Sequence, residues 1–508
     1  MKAVQALDWA AVGPVVAVTA ALLLILLVDA IGPASARLRW AHDLIALLGL
    51  LAAGGSVAWL AWDGGGQRST LCVHAAGSGV DPGAASCSYV SSTLTLTLQA
   101  LVLVTALVCL LLTLDGDGAA DRTAHHLLFL TAVAGALALA GVRDLASFVV
   151  ALELASLPGI GLVALRRDSR GAQAGVTLLL TAVASLGLLL LGTALLLFAT
   201  GSVHLERIAQ VLSRADLPAH VRAVAVLGTL LAAAGVAFKL SAVPFHLWTP
   251  DTYAGAPMPI AAFLSVVSKA AGLTAIVVLL LVGLPALAGS WAVVVGIVAA
   301  LTVTVGNLVA LRQTVAVRLL AWSTVAQAGW VLLPLAGARP ATDAAVRTAG
   351  AASVGYLAAY AVAGLASFAV VVVVSRRHPA GEEHTLEAYR GLGRRQPVAA
   401  FVLGFALLCL AGLPPGVVGL VAKLMAVRPL VDAGIWPVAL IAAVNVALGI
   451  TYYLRWAALL VVRPDGAGAP AWRVSAAEGV ALTAATAGCL ALSVAPQLIA
   501  GLLPSTLH

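Results

Sequence analysis

Long apolar segments follow one another along almost the whole chain. About fourteen runs approach the 20 residues that a transmembrane α-helix needs. Of the 508 residues, 62% are hydrophobic and only 10% are charged. A soluble protein has about 25% charged residues with which to cover its surface. The sequence therefore predicts an all-α polytopic membrane protein with about fourteen transmembrane helices, which we number 1 to 14.

The basic residues indicate how these helices are oriented. The formal net charge is +7, but no basic patch carries the interleaved aromatic residues that nucleic-acid binding would favour. Fifteen Lys or Arg residues lie in loops after odd-numbered helices, and nine lie on the opposite side. Cytoplasmic loops of membrane proteins carry such an excess. We therefore expect no nucleic-acid partner, and we expect both termini to lie on the outer side of the membrane.

Three lysines and one glutamate lie inside apolar segments. Of 28 basic residues only four are lysines, and Lys239, Lys269 and Lys423 are three of these. Glu153 lies near the middle of predicted helix 5. Arginine stays protonated in proteins, whereas a buried lysine readily changes its protonation state. An ion at the bilayer centre costs about 2.5 to 3.5 kcal/mol on insertion scales, and such residues usually mark a proton or ion pathway.

We interpret these four residues as a candidate proton relay. The alternative is a structural ion pair between Glu153 and Lys239 that locks two helices together. That alternative leaves Lys269 and Lys423 without acidic partners in the membrane, and an unpaired buried amine tends to lose its proton. A residue that gains and loses a proton is what a relay requires.

Prolines interrupt two predicted helices beside their lysines. Pro244 follows Lys239 in FKLSAVPFHLWTPD, and Pro414 and Pro415 precede Lys423 in LPPGVVGLVAK. Proline removes a backbone hydrogen bond, and freed backbone groups are tolerated at membrane depth only inside protein or beside a wet cavity. Broken helices that carry ion sites are typical of internally repeated transporters. We predict broken helices 7 and 12 within two inverted five-helix repeats; two unrelated proline kinks are the alternative.

This interpretation divides the chain into four parts. Residues 1–123 form an N-terminal three-helix segment, and residues 124–284 form the first repeat, with helices 4–8. Residues 285–465 form the second, inverted repeat, with helices 9–13. Residues 466–508 contain helix 14.

Four further residues have two interpretations each. His246, just beyond Pro244, either caps nearby carbonyls or provides a proton entry or exit near the cytoplasmic face. Arg455 in helix 13 either extends to the interface or stays in the polar interior. Cys72 and Cys87 lie in one polar loop and could form a disulfide if that loop faces an oxidising compartment. No Cys or His spacing indicates a metal site.

Several motifs resemble one known family. FKLSAVPFHLWTPDTYAGAPMPIAAFLSVVSKAAG closely resembles the antiporter-like membrane subunits of complex I, the proton-pumping NADH:quinone oxidoreductase. ELASLP, YRGLGRRQP, LAGLPPGVVGLVAK and YYLR extend the resemblance over most of the chain beyond residue 120. Within the family, HLWTPD followed by a tyrosine and GAP is similar to subunit N rather than to subunits L or M.

The resemblance implies a fold, a function and partners. It implies fourteen helices with two inverted five-helix repeats, and a proton channel through Glu153, Lys239, Lys269 and Lys423. It implies no cofactor in this chain, because flavin, iron–sulfur clusters and NADH belong to other subunits. The implied partners are the lipid bilayer, subunit M, the small K-, J- and A-type membrane subunits and, indirectly, a peripheral NADH-oxidising arm.

One position departs from the family pattern. The family often has a histidine in helix 10, in a Ser-Ser-x-x-His-x-Gly pattern, whereas this chain has Gln327 in WSTVAQAGW. Glutamine can hold water but cannot carry a proton, so we expect a structural or water-ordering role there.

Three other functions remain open on the sequence alone. A subunit of a multi-subunit cation/proton antiporter shares the repeat. A structural membrane scaffold would need no titrating lysines. A solute transporter fits less well, since no polar cluster indicates a substrate pocket.

Overall fold

The fold was analysed on a computed structural model, which describes residues 7–31, 36–64, 66–74, 85–114, 122–339, 341–377, 384–463 and 474–502. Within these ranges it is almost entirely helical. The α-helices are α1 Gly13–Ile31, α2 Ala36–Trp62, α3 Thr93–Thr113, α4 Arg122–Gly141, α5 Leu145–Ala164, α6 Ser169–Thr200, α7 Leu205–Leu212, α8 Ala219–Leu240, α9 Trp248–Gly255, α10 Met258–Ile276, α11 Ala288–Ala310, α12 Ala316–Leu332, α13 Asp343–Ser375, α14 Leu392–Arg395, α15 Pro397–Ala411, α16 Val417–Asp432, α17 Trp436–Val461, α18 Ala476–Val494 and α19 Gln497–Leu502.

Short elements of other kinds complete the structure. A π-helical segment, Val277–Gly283, continues α10. Three 3₁₀ segments lie at Pro285–Leu287, Leu333–Ala338 and Leu386–Tyr389.

The membrane spans agree with the sequence prediction. In the described ranges, 13 helices are long and apolar enough to cross a membrane. The predicted twelfth helix is divided into α15 and α16, which have 15 and 16 residues, so neither piece reaches the length of a span by itself. The chain is therefore a helical, multi-pass membrane protein, and the break in helix 12 accounts for the difference between fourteen and 13.

Three helices form the interior of the bundle. In the apolar stretches of α10 and α12, 94% of residues are buried, and in α13 the share is 89%. The corresponding shares are 22% for α1 and 28% for α17, whose apolar side chains face outward as lipid-facing side chains do. Polar groups of α10, α12 and α13 are therefore enclosed by protein.

A β-hairpin replaces the irregular loop expected between helices 2 and 3. Strands β1 Arg68–His74 and β2 Ala85–Ser91 pair antiparallel, with Cys72 opposite Cys87. A disulfide joins these two cysteines in the structure. Both strands are rich in Ser, Thr, Val and Cys. They are too short and too polar to be detected by the apolar periodicity that identifies membrane helices.

The two interrupted helices lie where the prolines predict. Helix 7 consists of α8 and α9, separated by residues 241–247, and helix 12 consists of α15 and α16, separated by residues 412–416. The four-part division of the chain and the inverted relation of the repeats stay predictions.

Candidate functional site

The break in helix 7 leaves carbonyl groups of α8 available. Ser241, the first residue after α8, has φ +60°, and the chain then turns through Pro244 before α9 begins. The amide of Val243 donates to Thr302 Oγ1 of α11 at 2.9 Å, which anchors the break against the second half of the molecule. Because no α-helix continues past Leu240, its last carbonyls lack their usual partners.

Lys269 takes the place of those missing partners. Its Nζ, on the neighbouring α10, donates to the carbonyl oxygen of Lys239 at 3.0 Å and to Ser241 Oγ at 2.5 Å. The amine also lies 4.6 Å from the ring centroid of Trp248. Only 2% of Lys269 is exposed. A buried amine that is bonded in this way is held by a helix end and an aromatic face rather than by a carboxylate.

Lys239 and Glu153 lie near one another without direct contact. Lys239, in the last turn of α8, is buried, and its amine lies 5.0 Å from the ring centroid of Phe238. Glu153 is close enough for Coulomb attraction to Lys239, but the two form no ion pair within 4.0 Å, and Glu153 Oε2 is buried without a hydrogen-bond partner. The structure therefore lacks the locked ion pair that the sequence offered as an alternative. Lys239 and Lys269 repel each other when both are charged.

The break in helix 12 has its own lysine. Lys423 of α16 donates from Nζ to the carbonyl oxygens of Leu410 at 2.9 Å and Ala411 at 2.6 Å, in the last turn of α15. The amine lies 5.7 Å from the ring centroid of Trp330 on α12. The lysine of the second half of helix 12 thus caps the end of the first half. Pro414 and Pro415 lie in the break and allow the two pieces to approach in this way.

Glycines let α16 pack against the end of α15. Gly412 has φ +78°, which a glycine adopts without steric cost. A Cβ on Gly419 would overlap the carbonyl oxygen of Cys409. Any larger residue at position 419 would therefore push α16, and Lys423 with it, away from α15.

Hydroxyl and amide groups form a polar network beside the break in helix 12. Gln327 Oε1 accepts a hydrogen bond from Tyr356 OH at 2.6 Å, and Gln327 Nε2 donates to Tyr453 OH at 3.0 Å. Tyr453 OH also contacts Ser323 Oγ at 2.5 Å. Gln327 therefore has a defined position in a polar network of α12, α13 and α17. The structural or water-ordering role expected for this residue stays a prediction.

Tyr360 connects this region to α10. Its hydroxyl lies 3.0 Å from the carbonyl oxygen of Ser265 and 3.0 Å from Thr324 Oγ1. Beside it is a small cavity of about 10 Å³, which is close to the least space that one water needs. Its lining includes Gln327 and Leu410, whose carbonyl accepts from Lys423.

The remaining predicted residues lie outside this network. His246 is buried in the break of helix 7, its ring 5.4 Å from that of Trp322, and its Nδ1 has no hydrogen-bond partner. Arg455 is exposed and donates to the carbonyl oxygens of Leu311 and Gln313 beyond the end of α11. Of the two positions open to Arg455, the structure shows the peripheral one.

The sequence did not single out several groups at the site. Ser241, Tyr356 and Tyr360 have no charge and lie in or beside apolar segments, so nothing in the local pattern distinguishes them from packing residues. The spacing of Tyr356 and Tyr360 places them on one face of a helix and is the one usable signal. Among the described residues no group of three or more His, Cys, Asp or Glu could hold a metal ion.

Comparisons with known proteins identify the family of the chain. Residues 142–449 match the family model described as "NADH:quinone oxidoreductase/Mrp antiporter, TM". "NADH-quinone oxidoreductase subunit N 2" of Streptomyces griseus is 41% identical over 470 residues, covering 91% of this chain and 84% of the relative. "NADH-quinone oxidoreductase subunit N" of Salinispora tropica is 39% identical, with 91% and 86% covered.

Solved structures show the same fold. A chain of respiratory complex I from Thermus thermophilus with bound aureothin has a TM-score of 0.77 and 29% identity, covering 96% of this chain and 98% of that one. A chain of the Mrp complex from Dietzia has a TM-score of 0.81 and 22% identity, covering 97% and 96%, and shows likeness of fold alone. The chain therefore belongs to the family of antiporter-like membrane subunits of NADH:quinone oxidoreductase and Mrp antiporters, and resembles its subunit N members.

Proposed function

We propose that this chain is the subunit N-type membrane subunit of NADH:quinone oxidoreductase and that it translocates protons. NADH oxidation and quinone reduction take place elsewhere in the complex. The observation that carries the proposal is that two of the three buried lysines, Lys269 and Lys423, each bind the open carbonyl end of a broken helix. Tyr356 and Tyr360 line a small cavity with Leu410, whose carbonyl binds Lys423. Curated relatives that bear the name of this subunit support it independently.

Each lysine is suited to hold a proton only under some conditions. Burial opposes the charged amine, whereas carbonyl oxygens and an indole face stabilise it. The two effects oppose each other, so a modest change in surroundings decides whether the proton stays. Moving one charge through 100 mV costs about 2.3 kcal/mol, and shifts of a few kcal/mol lie within the range that buried amines show.

The roles then follow from position. Lys269 receives a proton from the cytoplasmic side, and Lys423 passes it toward the outer side. Glu153, when charged, stabilises the proton on Lys239. When that attraction weakens, Lys239 gives up its charge, its repulsion of Lys269 ends, and the row of amines changes state in sequence. His246 lies in the break beside the cytoplasmic route and is the candidate for proton entry.

The surroundings of the chain are part of the proposal. The protein lies in the bacterial cell membrane with both termini on the outer side. Its neighbours are subunit M and the small K-, J- and A-type membrane subunits, and it reaches the peripheral NADH-oxidising arm only through them. We assign the redox centres to other subunits, so that the energy reaches this chain as a structural or electrostatic change.

Replacement of the two lysines tests the function. In sealed membrane vesicles that contain the assembled complex, Lys269→Met and Lys423→Met should each reduce NADH-driven proton pumping by roughly tenfold or more. Arg428→Met is the matched control, because Arg428 lies on the same helix as Lys423 but is exposed. Pumping that is unchanged in both lysine variants, with the complex assembled, would falsify the relay and favour a structural scaffold.

A cation/proton antiporter subunit is the second candidate. The family model covers both kinds of protein, and the Mrp chain shares the fold. A sodium requirement for proton movement, measured in the same vesicles, would favour that candidate.

A further inference from the structure

A polar cluster joins one end of α1, α2 and α4, on the side of the molecule that the sequence predicts to be cytoplasmic. Asp43 of α2 accepts a hydrogen bond from Arg122 of α4 and lies 2.8 Å from His126 Nε2 of the same helix. Thr123 Oγ1 of α4 donates to Asp29 Oδ1 of α1 at 2.7 Å. Both helices of the α1–α2 hairpin are therefore bound to α4 through carboxylates.

Two imidazoles of this cluster each have one ring nitrogen with an unused lone pair. Because a carboxylate only accepts hydrogen bonds, His126 Nε2 carries the hydrogen toward Asp43. Its Nδ1 is buried and has no hydrogen-bond partner among the described residues. The Thr123 hydroxyl gives its hydrogen to Asp29 and therefore accepts from His42 Nδ1 at 3.4 Å. The other nitrogen of His42, Nε2, is likewise buried without a partner in the described chain.

The charges of the cluster favour the uptake of one proton and oppose a second. While the imidazoles are neutral, Asp29 and Asp43 carry two negative charges and Arg122 carries one positive charge, which leaves a net charge of −1. One added proton brings this sum to zero. A second is opposed because a charged His126 repels charge on the neighbouring imidazoles of His42 and His125.

His126 is the imidazole best placed to hold that proton. When charged, it forms an ion pair with Asp43, and charge-assisted hydrogen bonds are roughly twice as strong as neutral ones. The side chains of Asp43 and Arg122 are 17% and 22% exposed, so water reaches the edge of the cluster and can exchange protons with it. Arg122 also donates to the Leu114 carbonyl at the end of α3 at 2.8 Å. Uptake of the proton therefore strengthens the bond between α2 and α4.

The other charged groups near α4 lie farther along that helix. On α5, Glu153 precedes Leu154, whose backbone packs on Gly135 of α4. Gly135 comes nine residues after His126, about 13 Å away along the helix axis. On α10, Lys269 binds the end of α8 and belongs to the relay. The cluster therefore titrates under its own charges, while α4 connects it to the helix that carries Glu153.

Polar bonds make up a large part of the attachment of the α1–α2 hairpin. In the apolar stretches of α1 and α2, 22% and 33% of residues are buried, whereas the share in α4 is 67%. A helix with so little buried surface gains little from apolar packing. A change in the strength of the Asp43 bonds should therefore change how firmly the hairpin is held.

We propose that this cluster is a proton-binding site outside the relay, at which one proton from the cytoplasmic side fastens the α1–α2 hairpin to α4. A hydronium ion in the adjoining water gives up the proton and becomes water, a new N–H bond forms at His126 Nδ1, and no electron moves. The proton binds the fastened state more tightly than the loosened one. The attachment is therefore strongest at low pH and weakens as the pH rises through the range in which imidazoles titrate. The inference does not depend on the proposed function, since it uses no residue of the relay.

Hydrogen exchange of the assembled complex, followed by mass spectrometry, tests the inference. The measured quantity is the protection of backbone amides in α1 and α2, corrected for the intrinsic pH dependence of exchange. A single linked proton changes the opening equilibrium by at most about tenfold per pH unit. We expect the protection in the wild type to fall at least about fivefold between about pH 6 and about pH 8. Protection that does not change over this range overturns the inference.

A substitution at His126 separates proton binding from structural support. The amide of His126→Gln can still donate to Asp43 but cannot take up a proton, so we expect equal protection at both pH values. His204→Gln is the matched control, because His204 also has a buried Nδ1 without a partner in the described chain but lies at the start of α7. The control should keep the wild-type response to pH, and a wild-type response in His126→Gln overturns the inference.

Asp43→Asn provides a second variant in case His126→Gln fails to assemble. It removes the negative charge that holds the proton but keeps a side chain of the same size. We expect it to abolish the loss of protection between the two pH values, and a wild-type loss in this variant overturns the inference.

Discussion

At the breaks of helices 7 and 12, different residues bind the unpaired carbonyl groups of a helix end. In both, a lysine amine binds carbonyl groups at the end of a helix, and a residue with positive φ ends that helix. At helix 7 the amine comes from a neighbouring helix and also binds a side-chain hydroxyl, Ser241 Oγ. At helix 12 the amine comes from the second piece of the same helix and binds backbone alone.

The charges around the two breaks differ as well. Two amines and one carboxylate, Lys239, Lys269 and Glu153, influence one another at helix 7. At helix 12, no carboxylate of the described chain forms an ion pair with Lys423. The first site can therefore respond to a neighbouring charge, whereas the second depends on the geometry of a helix end. The difference predicts that substitutions of side chains affect the first site most and substitutions that move the backbone affect the second.

The largest effect is expected where the second site depends on backbone contact. Gly419→Ala should destabilise the complex by about 1 to 3 kcal/mol and displace Lys423, because the added Cβ overlaps the Cys409 carbonyl. Thermal denaturation and proton pumping of the purified, reconstituted complex measure both consequences. Gly479→Ala, on α18, has no heavy atom within 4 Å of the added Cβ and should change neither. Equal behaviour of the two variants would contradict the close packing at helix 12.

The next effect concerns the charge coupling that only the first site has. Glu153→Gln removes the attraction to Lys239 and should reduce pumping by roughly fivefold or more, in the range of typical coupling energies. The control is Glu206→Gln on α7, a carboxylate outside the site. Pumping at the wild-type rate in Glu153→Gln would mean that the two breaks operate alike.

Two substitutions at Ser241 separate the contribution of its hydroxyl to stability from that of its backbone conformation. Ser241→Gly and Ser241→Ala both remove the acceptor for Lys269, at a cost of about 1 to 3 kcal/mol. Serine and alanine both hold φ near +60°, which costs an L-residue about 1 to 2 kcal/mol, whereas glycine adopts it freely. Thermal stability of Ser241→Ala should therefore fall below that of the wild type and below that of Ser241→Gly. If the alanine variant is as stable as the wild type, the hydroxyl contributes nothing.

The smallest effect is expected at the aromatic faces. Trp248→Phe and Trp330→Phe each weaken a cation–π contact worth about 0.5 to 2 kcal/mol. The change at Trp248 should be the larger, because its ring is nearer the amine and its Nε1 donates to the Phe238 carbonyl at 3.1 Å. The pumping rates of the two variants, measured side by side, test this prediction. A larger loss in Trp330→Phe would show that contact with the indole face does not determine which site is affected more.

Much of this arrangement could be predicted from local signals. Proline position predicted both breaks, because a residue without a backbone donor removes a helical hydrogen bond and kinks or breaks the helix. Lysines and a glutamate within apolar runs identified the charged members of the site, since such residues are costly in a membrane. The fold class followed from the length and number of the apolar segments.

The pairing of groups across the bundle could not be predicted in the same way. Tyr360 lies 95 residues from Ser265, and Gln327 lies 126 residues from Tyr453. A periodic pattern shows which face of a helix a residue occupies but does not show which helix lies opposite. Whether Glu153 and Lys239 form a direct ion pair, the alternative that the sequence left open, could not be decided for the same reason, since the sequence does not give their separation.

Because Lys269 binds the end of α8, a change in the tilt of that helix changes the proton affinity of the lysine amine. The carbonyl of Lys239 can move only with the terminal turn of α8, whereas the amine of Lys269 moves with α10. A relative shift of a few tenths of an ångström lengthens a 3.0 Å bond enough to weaken it. Mechanical strain from a neighbouring subunit would thus change the proton affinity of Lys269 directly. No part of this chain would have to change its fold.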